Sequence, residues 1–200
     1  MNYNQISRFF ALFAMLAFTL VACKDPIIEE EIDPKDENPY GITYEEIADF
    51  AVGESSTLDD NISDGIVLPD LDWAALSNVA CFPGTRFVEF GGKQKFYTVN
   101  IPQGSELIVT VTPTGSKERI NLFGYIDFNG SNLLPLTSVL SCEAGYEIYA
   151  GNPDLTQPGE PQSISFAQAV NRGFTCFVAV SGADGVESGD YSLEFKLEPY

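Results

Sequence analysis

Histidine is absent from this 200-residue chain. That one absence removes Cys–His and Ser–His–Asp nucleophilic catalysis and His-ligated zinc together, since each needs an imidazole nitrogen as base or ligand. Basic residues are scarce: 10 Lys and Arg stand against 29 Asp and Glu, a formal charge of −19, and they form no cluster. Phosphate recognition requires clustered Lys and Arg, so nucleic acid is excluded as a partner and anionic headgroups are repelled. What such a charge favours is solubility and attraction for divalent cations. No Gly-rich phosphate loop, Cys-x-x-Cys pair or recognised catalytic motif occurs.

Long apolar runs are also missing, with one short exception at the start. Met1–Arg8 is polar and its only charge is Arg8; Phe9–Ala22 is apolar apart from Thr19. Crossing the bilayer takes about 20 apolar residues. This run is shorter and stops at Lys24-Asp25-Pro26, so it reads as the apolar region of a secretory signal. Leu20-Val21-Ala22-Cys23 resembles the bacterial lipobox, with small Ala22 before the cleavage point and Cys23 as the acylated residue. The reading is a signal peptide over 1–22 and a lipid anchor at Cys23. Two or more acyl chains hold firmly where one binds only marginally. Removing the signal takes away one base and no acid, so the mature charge falls one unit below −19.

Residues 23–42 follow as an acidic, disordered, lipid-anchored tether. Lys24–Tyr40 carries seven acids and three prolines with little to bury, which makes it extended and self-repelling. A Lys followed by acids directly after the cysteine looks like an export signal that sends some Gram-negative lipoproteins to the outer face. The expected location is therefore the outer membrane, exposed at the cell surface. A solvated spacer is the plainer account of the same charge run.

Cys81, Cys142 and Cys176 remain beyond Cys23. In an oxidising compartment an odd count allows one disulfide and a free thiol, or no disulfide. Cys176 lies in the apolar run Thr175–Val180, where a buried, inert thiol is expected. Cys81 and Cys142 adjoin loop-like sequence, Phe82-Pro83-Gly84 and Glu143-Ala144-Gly145, and are the preferred pair.

Residues 43–84 read as a lead-in that packs on the domain behind it. Tyr44–Phe50 has the spacing of one or two helical turns, with Tyr44, Ile47, Ala48 and Ala51 on one face. From Thr85 the pattern becomes short alternating runs broken by Gly, Pro, Asn and Asp. Phe96–Ile101 and Leu107–Thr112 flank Pro102-Gln103-Gly104. Further strands are expected at Ile120–Phe128, Leu136–Leu140, Tyr146–Tyr149, Ile164–Val170, Thr175–Ser181 and Tyr191–Leu197. Period-2 alternation without helix-length segments predicts an all-β antiparallel sandwich over 85–200.

Two stretches carry a family likeness. Lys95–Thr112 has an aromatic strand, Pro-x-Gly and an alternating strand; Phe177–Gly182, a polar turn and Gly189–Phe195 close the domain. Together they resemble the bacterial pre-peptidase C-terminal domain. The resemblance spans roughly Thr85–Glu198 and implies a jelly-roll-like sandwich, an accessory or binding module and not a catalytic unit. Calcium is the cofactor that some relatives bring into view. Family members often carry Asp-x-Asp-Leu in the strand after the first hairpin, where this chain has Arg119 and Asn121, which weakens that expectation.

Weaker candidates complete the reading. Asp184, Glu187 and Asp190 are oxygen ligands of the kind calcium takes, although their spacing is also that of a turn. Asp59-Asp60 and Asp70–Asp72 are of the same kind. Trp73, Tyr146 and Tyr149 are candidate ligand-contact aromatics, or else residues that cap a core. The function expected is a non-catalytic binding or accessory module for an extracellular glycan or protein. The alternative is a structural envelope partner of a secreted peptidase or other exoenzyme. A small carboxylate-dependent hydrolase ranks third, because nothing singles out a carboxylate pair across a cleft.

Overall fold

Side chains that alternate between two environments set the architecture. A computed structural model describes residues 38–114, 119–126, 134–147, 159–168 and 172–200, all within the compact unit Lys35–Tyr200. Among the described residues ten strands run in chain order: β1 Tyr44–Glu46, β2 Ser55–Asn61, β3 Ile66–Val67, β4 Lys93–Ile101, β5 Ser105–Pro113, β6 Ile120–Ile126, β7 Ser141–Gly145, β8 Gln162–Gln168, β9 Phe174–Gly182 and β10 Asp190–Pro199. Among the described residues the only helical pieces are short 3₁₀ turns, at Ile62–Asp64, Asp72–Ala75 and Gly84–Glu89.

The strands form two sheets. Sheet A has the order β1-β4-β9-β6-β7, with β3 also paired to β4; sheet B has the order β2-β10-β5-β8. All pairs are antiparallel except β1 with β4, which is parallel. The protein is an all-β sandwich.

Between the sheets lies the main core. Tyr97, Val99 and Ile101 of β4, Leu122 and Ile126 of β6, and Val178 and Val180 of β9 meet Leu107, Val109 and Val111 of β5 and Leu193, Phe195 and Leu197 of β10. Burying each such side chain contributes about 1.5–3 kcal/mol. The connection from β4 in sheet A to β5 in sheet B turns at Gly104, whose φ of +71° is open to glycine without steric cost.

Sheet A is covered on its other face as well. Phe96, Phe123, Tyr125, Phe177 and Ala179 point outward and pack under Leu68, Leu71, Trp73, Phe82 and Phe90. β6 is therefore buried along its whole length. A strap of irregular chain between β3 and β4 makes this third layer. The Cys81–Cys142 disulfide ties it to β7, with Cα atoms 4.8 Å apart.

The sandwich begins earlier than Thr85. Segment 43–84 supplies β1, β2 and β3 to the sheets in addition to the packed strap. Tyr44–Phe50 is not helical: Tyr44 joins the outer core while Ile47 joins the inter-sheet core, and only an extended chain at a sheet margin reaches both. The polar run Ser55–Asn61 is an edge strand with one solvated face, where Leu58 is its one apolar residue and packs on the core.

The strand expected at Leu136–Leu140 is displaced, and the one expected at Tyr146–Tyr149 lies partly outside the described residues. Leu136 is buried under the strap, and β7 occupies Ser141–Gly145 between them. The small residues Ala144 and Gly145, read as a turn, permit close packing: a Cβ on Gly145 would stand 3.1 Å from Leu122 and 3.2 Å from Gln162. Cys23, Phe128, Tyr149 and Val170 lie outside the described residues.

Candidate functional site

Three polar constellations interrupt the apolar layers, and their geometry separates scaffold from site. The first joins the two sheets. Tyr97 on β4 and Tyr191 on β10 bond through their hydroxyls, and Tyr97 Oη also donates to Asp60 Oδ2 at 2.7 Å. Lys95 forms an ion pair with the same carboxylate, and the Asn61 N–H donates to Asp60 Oδ1 at 2.7 Å. Burial pushes the Asp60 carboxyl up, but the bonds from Lys95, Tyr97 and Asn61 outweigh it and hold the group below its ordinary value. Burial, then each other's hydroxyl and the Asp60 charge, raises Tyr97; burial raises Tyr191. Every strong partner is internal, so this is a buried clasp.

The second constellation anchors the strap. Gln94, Ser181 and Asn121 stand in one cross-strand row on the outer face of sheet A and are all buried. Gln94 Nε2 donates to the Phe90 carbonyl at 2.7 Å and Asn121 Nδ2 to the Glu89 carbonyl at 2.6 Å. Asn121 Oδ1 accepts from the Glu147 N–H at 3.1 Å. Glu89 is itself only 2 % exposed and lies 3.8 Å from the Arg119 guanidinium. Burial raises its carboxyl above the ordinary value, against the pull of Arg119 and Arg86 and with a push from Glu147. Arg119 and Asn121 thus face Glu89 and its carbonyl.

The third constellation is open. β1 follows β4 only as far as the Glu46–Thr98 pair and the 2.8 Å bond from Ile47 N to Thr98 O. Beyond that point the chain peels away, which exposes the end of β4. Asn100 there donates to Asp49 Oδ1 at 3.1 Å and accepts from Thr175 Oγ at 3.1 Å. Two adjoining basins of about 380 and 200 Å³ share Asn100 and Thr175; Phe50 and Phe174 flank the larger, Glu46 and Phe177 the smaller. Arg172 lies over the Phe174 ring at 4.7 Å from its centroid. The floor is held by Gly173, because any Cβ there would come within 2.8 Å of the Ile101 carbonyl. Asp49 keeps a second carboxylate oxygen and Asn100 a second N–H for a ligand. This groove offers planar hydrogen-bonding groups beside phenyl rings.

The residues singled out in the sequence lie elsewhere. Trp73 is 3 % exposed and packs on Phe82 and Phe123 at 6.2 and 5.8 Å, so it is a core residue and cannot serve as a ligand platform. Tyr146 is half-buried, with Phe90 at 5.6 Å and the Arg86 guanidinium over its ring at 5.7 Å. Asp184, Glu187 and Asp190 do not converge, and among the described residues no three His, Cys, Asp or Glu side chains group as metal ligands. Asp184 caps a turn through its own N–H to the Val88 carbonyl at 2.8 Å, and Asp190 accepts from Asn61 at 2.6 Å across the β2–β10 pair. Asp70 accepts from Tyr40, whose hydroxyl is pushed up to about 12 by burial and by that bond. The Cys176 thiol is free, buried and raised well above its ordinary value by burial.

The sequence left the groove unread because its residues come from three separated segments. Asp49 and Phe50 fell within an apparent helical turn, while Asn100, Phe174 and Thr175 looked like strand ends. A Gly beside an aromatic at the start of a strand, as in Gly173-Phe174, is the one available signal.

Comparison with known proteins gives limited likeness. No protein-family model matches the chain. No curated protein matches it either. Among solved structures it is similar to a periplasmic lysozyme inhibitor of g-type lysozyme, PliG of Aeromonas hydrophila, with 12 % identity and a TM-score of 0.40 over 78 % of this chain and 97 % of that one. It is also similar to the pre-peptidase C-terminal domain of a collagenase from Bacillus anthracis, with 11 % identity and a TM-score of 0.35 over 78 % and 96 %. The sandwich assignment stands on the strand pairing itself. Among the described residues no helix is long and apolar enough to cross a membrane.

Proposed function

We propose that this protein is a lipid-anchored, surface-displayed sandwich that binds an extracellular neutral glycan in the Asn100 groove and performs no chemistry on it. The observation that carries the reading is the Asp49–Asn100–Thr175 ladder running between Phe50 and Phe174. Sugars are held by planar amide and carboxylate groups at their hydroxyls and by aromatic carbons at their C–H faces. The larger basin falls in the size range of small-ligand sites. A charge of −19 favours neutral ligands over polyanions.

The anchor part rests on Leu20-Val21-Ala22-Cys23 and on the acidic tether that follows. Its test is Cys23→Ser in the full chain. The variant should leave the membrane fraction; a variant that stays membrane-bound contradicts the anchor. The binding part is tested on an immobilised panel of neutral oligosaccharides, with the fluid assayed for cleavage products. Saturable retention without cleavage supports the reading, and product release overturns it.

A further inference from the structure

The two basins of the groove meet at Asn100 and Thr175, and the register of β4 against β9 fixes how they lie. Tyr97, Val99 and Ile101 face the inter-sheet core, so Thr98 and Asn100 alternate onto the outer face of sheet A. There Thr98 stands opposite Phe177, and Asn100 opposite Thr175. The smaller basin lies on the Thr98–Phe177 side of the Asn100–Thr175 pair, the larger on the Pro102–Gly173 side. The 3.1 Å bond from Thr175 Oγ1 to Asn100 Oδ1 makes that pair a ridge shared by both.

Recognition groups occur twice, once on each side of this ridge. The larger basin has the Asp49 carboxylate and the Phe174 ring; the smaller has the Glu46 carboxylate and the Phe177 ring. One segment supplies both acids. Glu46 ends β1, paired with Thr98, and Asp49 follows it, held by Asn100. Both acids are exposed, and among the described residues neither enters an ion pair. The Phe177 ring is fixed by Tyr44 and Tyr125, with centroids 5.3 and 5.0 Å away. A set of groups repeated along one groove suits a ligand that repeats as well.

Resting on the glycan reading of this groove, we infer that it is a two-subsite cleft. Two consecutive sugars of one chain cross the ridge, and Glu46 is the specificity-determining residue of the second subsite. The first ring lies in the larger basin beside Phe174. The next lies over Thr98 and Phe177, with a hydroxyl donating to Glu46. A second sugar joined to the first pays no further cost of lost translation and rotation, so its contacts add to affinity directly. A free monosaccharide fills one side only.

The test is calorimetric titration of the full chain with the mono-, di- and trisaccharides of three neutral series: glucose to cellotriose, N-acetylglucosamine to chitotriose and mannose to mannotriose. In a series that binds, affinity should rise about tenfold from one sugar to two and no more than about twofold from two to three. Glu46→Gln should narrow the advantage of disaccharide over monosaccharide, with unfolding unchanged, whereas Asp49→Asn should weaken both sugars alike. A disaccharide bound no more tightly than its monosaccharide, or an advantage left intact by Glu46→Gln, overturns the two-subsite cleft and leaves glycan binding standing. A wild-type chain that binds none of these sugars overturns the glycan reading itself, and the cleft with it.

Discussion

The Tyr97 hydroxyl on sheet A hydrogen-bonds the Tyr191 hydroxyl on sheet B, and both are buried at the join between the sheets. Asp60 and Lys95 complete the clasp, so three strands, β2, β4 and β10, meet at one polar point inside an apolar core. A polar group in that position stabilises only while every partner is present.

Tyr97→Phe removes the shared hydroxyl and leaves Tyr191 and Asp60 each short of a partner. A loss of about 1–3 kcal/mol in unfolding free energy is expected, read by urea denaturation. Acid should weaken the wild-type protein through the same point. The Asp60 carboxyl is depressed in the folded state, so its contribution is present above the ordinary carboxylate value and fades as pH falls through the depressed one. Asp60→Asn should flatten that acid limb; an unchanged limb would show that Asp60 does not report on the clasp.

The strap supplies its own optical probe, because Trp73 is the only tryptophan and is one of the strap residues buried against sheet A. The Cys81–Cys142 bond closes a loop 61 residues long, worth about 4 kcal/mol by chain entropy. Cys142→Ala, or reduction, should shift Trp73 emission to the red at denaturant concentrations where the far-ultraviolet β signal is still native. Coincident loss of the two signals would mean that strap and sandwich unfold as one unit.

Glu89 gives the opposite pH dependence to Asp60. Its folded carboxyl is raised, so the folded state holds the proton more tightly than the unfolded chain does. Stability should therefore decline as pH rises from the ordinary glutamate value through the raised one. Glu89→Gln, which keeps the shape, should abolish the decline and equal or exceed wild-type stability at neutral pH. A variant markedly weaker at neutral pH would instead assign the Arg119 ion pair a net stabilising role.

Much of this fold is legible in the sequence, and the reasons differ by element. β5 and β10 are readable because one face is solvated, so Leu107, Val109 and Val111 alternate cleanly with polar neighbours. β6 and β9 are readable as apolar runs, though their two buried faces conceal that a third layer exists. β2 is hidden by its composition, since Ser, Thr and Asp on an edge strand look like loop. Tyr44–Ile47 misleads because an aromatic and an aliphatic three apart fit a helix as well as a strand that crosses a sheet margin. Trp73 shows the limit for sites: its type suggests a ligand platform, and only the strap's packing shows that it is core.

Glycan binding in the groove turns on Asn100, which bridges Asp49 and Thr175. The direct measurement is calorimetric titration of the neutral oligosaccharide retained on the panel against the wild-type chain and Asn100→Ala. Saturable binding by wild type is expected, with at least a tenfold loss in Asn100→Ala, unfolding unchanged, and no cleavage of the sugar recovered afterwards. Equal affinity in the two proteins, or a hydrolysed sugar, would contradict it.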